Sequence, residues 1–321
     1  MVRGEKIFSI ESAPFRGVRS LLSPGFLIKL IKGFIQAARC LKAERPDAVV
    51  GFGGYFSFPV VFIAKVMGLR ALVHEQNVIP GLANNFLSRW VDGTALSFAE
   101  TKDYLPGRRR LRVTGNPIRT SIETDCREEA LVRFGFNDKK KTILILGGSQ
   151  GAESINFFFL DALKFFGEPL IGRIQALHLC GRMSPQAALE KYREFGITAC
   201  AFSFFDRMDL AYGAADLAVG RAGATFLAEI SAKQIPAVLI PYPFGSGHQL
   251  LNAQVFSASH RAVVTTQKEL NPEKLAEQVK ELLMEVESKR GVGVSQIKGA
   301  ERPSRNSREA LADFILETAN L

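Results

Sequence analysis

Six short apolar runs punctuate the chain, with helical stretches between them: AVVGF after Pro46, ALVHE from Ala71, TILILGG from Thr142, IQALHLC from Ile174, DLAVG from Asp216 and PAVLIPYP from Pro236. Apolar runs without polar alternation suit strands covered on both faces, and a helix between successive strands supplies the cover. The pattern predicts an α/β chain of parallel, doubly wound sheets. At 321 residues it is long for one core and comfortable for two. A charged segment without a strong period, Thr120 to Lys141, precedes a fresh strand. It is read as a linker over 121–140, between a first domain at 1–120 and a second at 141–300. A polar stretch from Ser288 to Arg308 leads into EALADFILETANL, an amphipathic helix over 308–321 expected to return to the first domain. Two such domains in tandem would turn their strand ends, where ligand loops gather, toward one another across a cleft.

Composition narrows the class. Apolar residues make up 47% and charged residues 23%, which excludes a disordered chain. No uninterrupted apolar run reaches the roughly 20 residues of a bilayer crossing, and MVRGEKIF lacks the apolar centre of a signal peptide. A cytoplasmic compartment is expected. Cys40, Cys126, Cys180 and Cys200 have neither metal-ligand nor redox spacing, so neither disulfides nor structural zinc are expected. The net charge is +9, and through Arg45 nine basic residues stand against three acidic ones. Such a basic end suits nucleic acid, an anionic membrane or simple solvation. Phe26, Leu27, Leu30, Ile31, Phe34, Ala38 and Leu41 recur at helical spacing beside Lys29, Lys32, Arg39 and Lys42. That helix suits either core packing or a headgroup layer, and Arg16, Arg19, Leu21 and Leu22 just upstream share its character.

The residues with chemical potential cluster after the strand-like runs. RAGATFLAE, Arg221 to Glu229, opens a helix with small residues and puts a carboxylate about two turns in. Helix N-termini leave backbone N–H groups unpaired and carry partial positive charge, so Gly223, Ala224 and Thr225 could meet a phosphate while Glu229 accepts from a sugar diol. Ordinary packing of a glycine before an apolar helix is the competing account. GGSQGA, Gly147 to Ala152, is either a tight turn or a ligand loop with Ser149 facing a phosphate oxygen. GFGGYFSFP offers Tyr55 and Ser57 as polar handles, and HEQN, His74 to Asn77, ends a strand-like run. GNPIRT sets Arg119 near the expected hinge, where a guanidinium would clamp a diphosphate or simply sit in solvent. GHQLLNA brings His248, Gln249 and Asn252 onto one helical segment. No His/Asp/Cys set has convincing metal spacing, so neither metal nor cofactor is expected.

Taken in order, GGYFS, HEQN, GNPIR, GGSQGA, FFDRM, RAGATFLAEI and HQLLNA closely resemble the MurG family, the UDP-N-acetylglucosamine (UDP-GlcNAc) transferases that convert lipid I to lipid II in peptidoglycan synthesis. The resemblance runs from about Ile7 to the C-terminus. It implies a GT-B fold of two Rossmann-like domains, donor held mainly by the second and undecaprenyl-linked lipid I by the first. Carried over motif by motif, Ser149 would contact the diphosphate, the backbone at Phe205 would meet uracil, and Ala224, Thr225, Phe226, Leu227, Ala228 and Glu229 would line nucleotide and ribose. Gln249 would bind the donor sugar, Asn77 and Arg119 would join the donor site, and Tyr55, Ser57 and Glu75 would lie on the acceptor side. The resemblance shifts the basic end toward an anionic membrane and away from nucleic acid, at the cytoplasmic face of a bacterial inner membrane. Other readings that stay open are another GT-B enzyme of UDP-sugars, such as an epimerase, and a silent UDP-sugar or membrane-binding module. The chain departs from the family pattern in three places. The usual opening strand and GGTGGH-like loop have no counterpart, and that loop's histidine is the family's leading candidate for activating the acceptor, so the catalytic base is unassigned. Phe226 stands where a threonine is usual, and Gly247 where an aspartate often precedes His-Gln.

Overall fold

The structure is a computed structural model and describes residues 6–13, 23–106, 110–147, 153–244, 247–289 and 306–320. The chain divides into two compact units, Met1–Pro117 with Pro303–Leu321, and Ile118–Arg302.

Among the described residues, the first unit holds a four-stranded parallel sheet in the order β1-β2-β3-β4, formed by Ala48–Gly51, Arg70–Glu75, Gly93–Leu96 and Leu111–Val113. Helix α1, Pro24–Glu44, starts with Pro24 in its first turn, where a missing N–H costs nothing, and stops at Arg45 in a left-handed conformation. Helix α2, Gly54–Val66, follows β1, and α3, Leu82–Leu87, follows β2. One face of the sheet packs Val49, Ala71 and Val73 with Leu41, Val61, Ala64, Leu87 and Val91. On the other, Leu72 and Ala95 meet Leu311 and Phe314 of the helix Ser307–Ala319, which Asn306 caps by accepting from the Arg308 N–H at 3.1 Å. Gly93 makes that contact possible: a Cβ there would lie 2.8 Å from the Phe314 ring.

Helix α1 is apolar on more than one side. Gly33, Ala37 and Leu41 are buried, while Leu27, Ile28, Ile31 and Ile35 are exposed beside Lys29, Lys32, Arg39 and Lys42. No described helix is long and apolar enough to cross a membrane.

The second unit begins with α4, Thr120–Glu123, and α5, Arg127–Phe134. It continues through β5 Lys141–Leu146, α6 Glu153–Ala162, α7 Glu168–Ile171, β6 Ile174–Leu179, α8 Pro185–Glu194, β7 Thr198–Phe202 and α9 Met208–Ala214. After these come β8 Leu217–Gly220, α10 Ala224–Ala232, β9 Ala237–Leu239, α11 His248–Ser257, β10 Ala262–Val264 and α12 Pro272–Lys289. Its strands make a six-stranded sheet among the described residues, ordered β10-β9-β8-β5-β6-β7 and parallel throughout. The order runs outward from β5 in one direction and from β8 in the other, so the reversal lies between these two strands. Doubly wound sheets open a crevice at that reversal. The core joins Ile143, Ile145, Leu217, Val219 and Val238 to Phe159, Leu163, Leu275 and Val279.

Residues 121–140, read above as a linker, belong instead to the second unit. Their charges lie on the outer side of α5, whose Ala130, Leu131 and Phe134 are buried, and Ile122 of α4 is fully buried. Arg127 fastens the segment by donating to the Ala214 carbonyl at 3.2 Å and pairing with Asp216 at 3.2 Å.

Candidate functional site

Helix α10 starts at the β5/β8 reversal. Gly220, the last residue of β8, lies so close to β5 that a Cβ would sit 2.6 Å from the Leu146 carbonyl oxygen. Three residues later Gly223 occupies the N-cap in extended conformation and supplies no side-chain cap. Leu227 N–H donates back to the Gly223 carbonyl at 3.0 Å. The N–H groups of Ala224, Thr225 and Phe226 find no partner among the described residues. Unpaired amides at the positive end of a helix are an anion site in waiting.

The side chains of this helix divide by face. Phe226 and Leu227 are buried against the sheet, with the Phe226 ring packed beneath Gly220, so neither side chain lines a ligand. Phe226 therefore contributes at most its amide, and Leu227, its amide already bonded, contributes none. Positions 226, 227 and 230 form the buried face that covers the sheet, which leaves the backbone as the part of Phe226 that can face a ligand. Thr225 is exposed, and Gly223, Ala224 and Ala228 are half-buried.

Glu229 is 7% exposed, and its Oε2 accepts from the Tyr212 hydroxyl at 2.7 Å. Burial raises its pKa above the ordinary carboxylate value, opposed by the Tyr212 hydrogen bond and the nearby Arg119 charge. No donor among the described residues reaches its Oε1. Arg119 belongs to the second unit, just before α4, and donates to the Asp206 carbonyl at 3.5 Å. Phe205 sets its ring against Phe134 and Phe202, at 5.5 and 5.0 Å between centroids. Gln249 is the second residue of α11, and its Oε1 accepts from the Tyr242 N–H at 2.9 Å, tying down the loop after β9. Ser149 lies outside the described residues.

Two participants escaped the sequence reading. Tyr212 is one, and Arg221 the other. Arg221 is buried, and donates to the Ile240 and Pro241 carbonyls at 3.0 and 3.1 Å, to Ser154 Oγ at 3.1 Å and to Gln267 Oε1 at 2.8 Å. No carboxylate among the described residues pairs with it, and burial lowers its pKa. It links the start of α6 to the segment after β9.

The first unit brings a second polar group together at the carboxyl ends of β1 and β2. Glu75 is fully buried and accepts from Asn77 N–H at 2.9 Å, Asn77 Nδ2 at 3.3 Å, Gly81 N–H at 3.0 Å and Asn84 Nδ2 at 2.8 Å. Its oxygens are occupied by the loop they organise, so Glu75 shapes the loop after β2. His74 donates from Nε2 to the Gly115 carbonyl at 2.9 Å and accepts at Nδ1 from Gln76 at 3.2 Å. Burial lowers its pKa, so the ring is neutral with both nitrogens engaged. Gln76 also donates to the Phe52 carbonyl at 2.9 Å, joining the loops after both strands. Ser57 donates to the Gly54 carbonyl at 3.2 Å, and Tyr55 lies exposed with its ring 4.0 Å from that of Phe56.

Two parallel α/β sheets in separate units, one with a bare helix end and a buried carboxylate at its strand reversal, are the architecture of the GT-B class. Residues 4–96 match the glycosyltransferase family 28 N-terminal domain and residues 142–298 the glycosyltransferase family 28 C-terminal domain. The chain is 40% identical over 283 residues to the UDP-N-acetylglucosamine--N-acetylmuramyl-(pentapeptide) pyrophosphoryl-undecaprenol N-acetylglucosamine transferase of Halothermothrix orenii, covering 85% of this chain and 76% of that one. It is 36% identical to the protein of the same name from Citrifermentans bemidjiense, over 87% and 77% of the two chains. The crystal structure of Acinetobacter baumannii MurG superposes with a TM-score of 0.70 at 28% identity, covering 97% of this chain and 84% of that one. The chain belongs to the MurG family of N-acetylglucosamine transferases.

Proposed function

We propose that the chain transfers N-acetylglucosamine (GlcNAc), with inversion, from UDP-GlcNAc to undecaprenyl-pyrophosphoryl-MurNAc-pentapeptide, lipid I, giving lipid II. One observation carries the reading: the unpaired amides of Ala224 to Phe226 and the open oxygen of Glu229 lie on one helix at the strand reversal. The amides take the diphosphate and Glu229 takes the ribose diol. The guanidinium of Arg119 and the charge of Arg221 add to the stabilisation of UDP as it departs from the anomeric carbon. The Phe205 backbone, which makes no hydrogen bond among the described residues, meets uracil, while Gln249 and Asn77 belong to the donor side. Ser149, expected on the diphosphate, joins this reading from the sequence alone.

The acceptor hydroxyl attacks the anomeric carbon as the bond to UDP breaks, and its proton passes to a base. His74 is unsuited to that task, because a neutral ring with both nitrogens bonded has no lone pair to spare. Tyr55 and Ser57 remain on the acceptor side. With helix amides and arginine meeting the developing charge, the reaction runs without a divalent cation. Lipid II formation from UDP-GlcNAc and lipid I, unchanged in EDTA, is the expected result. Activity lost in EDTA and restored by magnesium removes the metal-free step, and turnover of UDP-GlcNAc without lipid I as acceptor removes the assignment.

The exposed Leu27, Ile28, Ile31 and Ile35, flanked by lysines, support peripheral docking on an anionic membrane surface at the cytoplasmic face. The variant carrying Ile28→Glu and Ile31→Glu should lose co-sedimentation with phosphatidylglycerol vesicles. Equal sedimentation of both proteins refutes the docking face.

A further inference from the structure

Tyr212 sits in the middle of α9 and is 2% exposed, surrounded by buried Leu210, Ala211 and Ala214. Phenylalanine would fill the same volume, so the hydroxyl needs its own explanation. Buried tyrosine hydroxyls require a partner. The one partner among the described residues is Glu229 Oε2, at 2.7 Å.

We propose that Tyr212 is the positioning residue of the ribose-binding carboxylate: it holds one oxygen of Glu229 so that the other stands aimed at the sugar diol. The inference rests on the reading that Glu229 binds ribose. A glutamate reaches its carboxylate through several rotatable bonds, and an unanchored one loses rotamer freedom each time it binds. Tyr212 removes that freedom beforehand. Its own position is fixed from several sides. Asp209, one turn earlier on α9, takes three hydrogen bonds from Arg207 at 2.8 to 3.0 Å. Cys126 Sγ donates to the Asp209 carbonyl at 3.2 Å, and Gly213 lies so close to that sulfur that a Cβ would come within 2.7 Å of it. Helix α9 therefore has little room to shift, and the phenol oxygen acts as a fixed peg. Burial holds the Tyr212 pKa well above its ordinary value, so the hydroxyl keeps its proton and remains a donor. A donor bonded to an ionised carboxylate forms the stronger class of hydrogen bond.

The test is calorimetric titration of the full chain and its variants with UDP and with 2′,3′-dideoxyuridine diphosphate, which lacks the diol. Tyr212→Phe should weaken UDP about tenfold, the scale of one hydrogen bond to a charged group, and leave the dideoxy nucleotide unchanged. In a Glu229→Ala background the same substitution should have no further effect on UDP. A purely structural tyrosine would weaken both nucleotides alike, and that result overturns the proposal. Unchanged UDP affinity in Tyr212→Phe, with Glu229→Ala clearly weakened, also overturns it while leaving the ribose reading intact. Unchanged UDP affinity in Glu229→Ala sinks the ribose reading and Tyr212 with it.

Discussion

The loop after β2 and the opening of α10 are both polar and both stand at the carboxyl end of a parallel strand, yet they use their hydrogen bonds oppositely. In the first, Glu75 gathers four N–H donors and His74 has both ring nitrogens engaged. In the second, three amides and a carboxylate oxygen have no partner among the described residues. A self-satisfied cluster gives shape to a loop. An unsatisfied one is held ready for something else, and the difference separates architecture from recognition more sharply than residue type does.

The largest expected effect comes from opening the closed cluster. Glu75→Ala leaves buried donors unpaired and should cost roughly 3 kcal/mol in urea unfolding. A variant as stable as the parent breaks the comparison. The second unit has its own closed cluster, where His178 donates to Asn156 Oδ1 at 3.1 Å and accepts from the Tyr192 hydroxyl at 2.9 Å. Burial pushes the His178 pKa down from 6.5 to about 3. Between those values the unfolded chain binds the proton and the folded chain does not. Stability is thus fully present above the unfolded pKa and declines as pH falls through the interval, with a slope on the order of 1.4 kcal/mol per pH unit. His178→Gln should flatten this segment of the pH profile, and an unaltered slope assigns the effect elsewhere.

On the open side, Glu229→Ala should weaken UDP binding by roughly 1 to 3 kcal/mol and cost less stability than Glu75→Ala, because it leaves one buried donor, the Tyr212 hydroxyl, unpaired instead of several. Since burial raises the Glu229 pKa, UDP affinity should fall on acidification at a pH above that of an ordinary carboxylate, with Tyr212 and Arg119 the groups that limit the shift. An acid limb at the ordinary carboxylate position counts against the buried geometry. The smallest effect sharpens the contrast most. Gly223 has extended geometry suited to a capping side chain, and a Cβ there meets nothing within 4 Å. Gly223→Ser should add a few tenths of a kcal/mol to stability while weakening UDP, because its hydroxyl occupies an amide. Tighter UDP binding in this variant contradicts the anion site.

Two central strands were plain in the sequence because long apolar runs cover both faces, KTILIL of β5 being buried throughout and RALVHE of β2 from its second residue onward, whereas the four-residue GTAL of β3, equally buried, was not. Short outer strands were not. LRV of β4 and AVV of β10 are each three residues long and incompletely buried, so they leave no apolar run to notice. In α5 the charges of REEALVRF hid the buried stripe of Ala130, Leu131 and Phe134, and a packed helix read as a linker. The bare end of α10 was legible because Gly-Ala-Thr offers no capping side chain at the cap itself. Tyr212 was not, since a tyrosine within an apolar helix looks like core until its hydroxyl is located in space. HEQN, at the end of a strand-like run, did not reveal its partners for the same reason. His74 and Glu75 are bonded there to Gly81, Asn84 and Gly115, between six and 41 residues away in the chain.

The contact of Gly93 with Phe314 has a consequence for how the molecule is made. The second unit is one continuous stretch of chain and can close as soon as it leaves the ribosome, whereas the first sheet keeps Leu72 and Ala95 bare until Ser307–Ala319 has been translated. Vectorial synthesis therefore finishes the amino-terminal half last, with an apolar face that chaperones can grip throughout the intervening elongation.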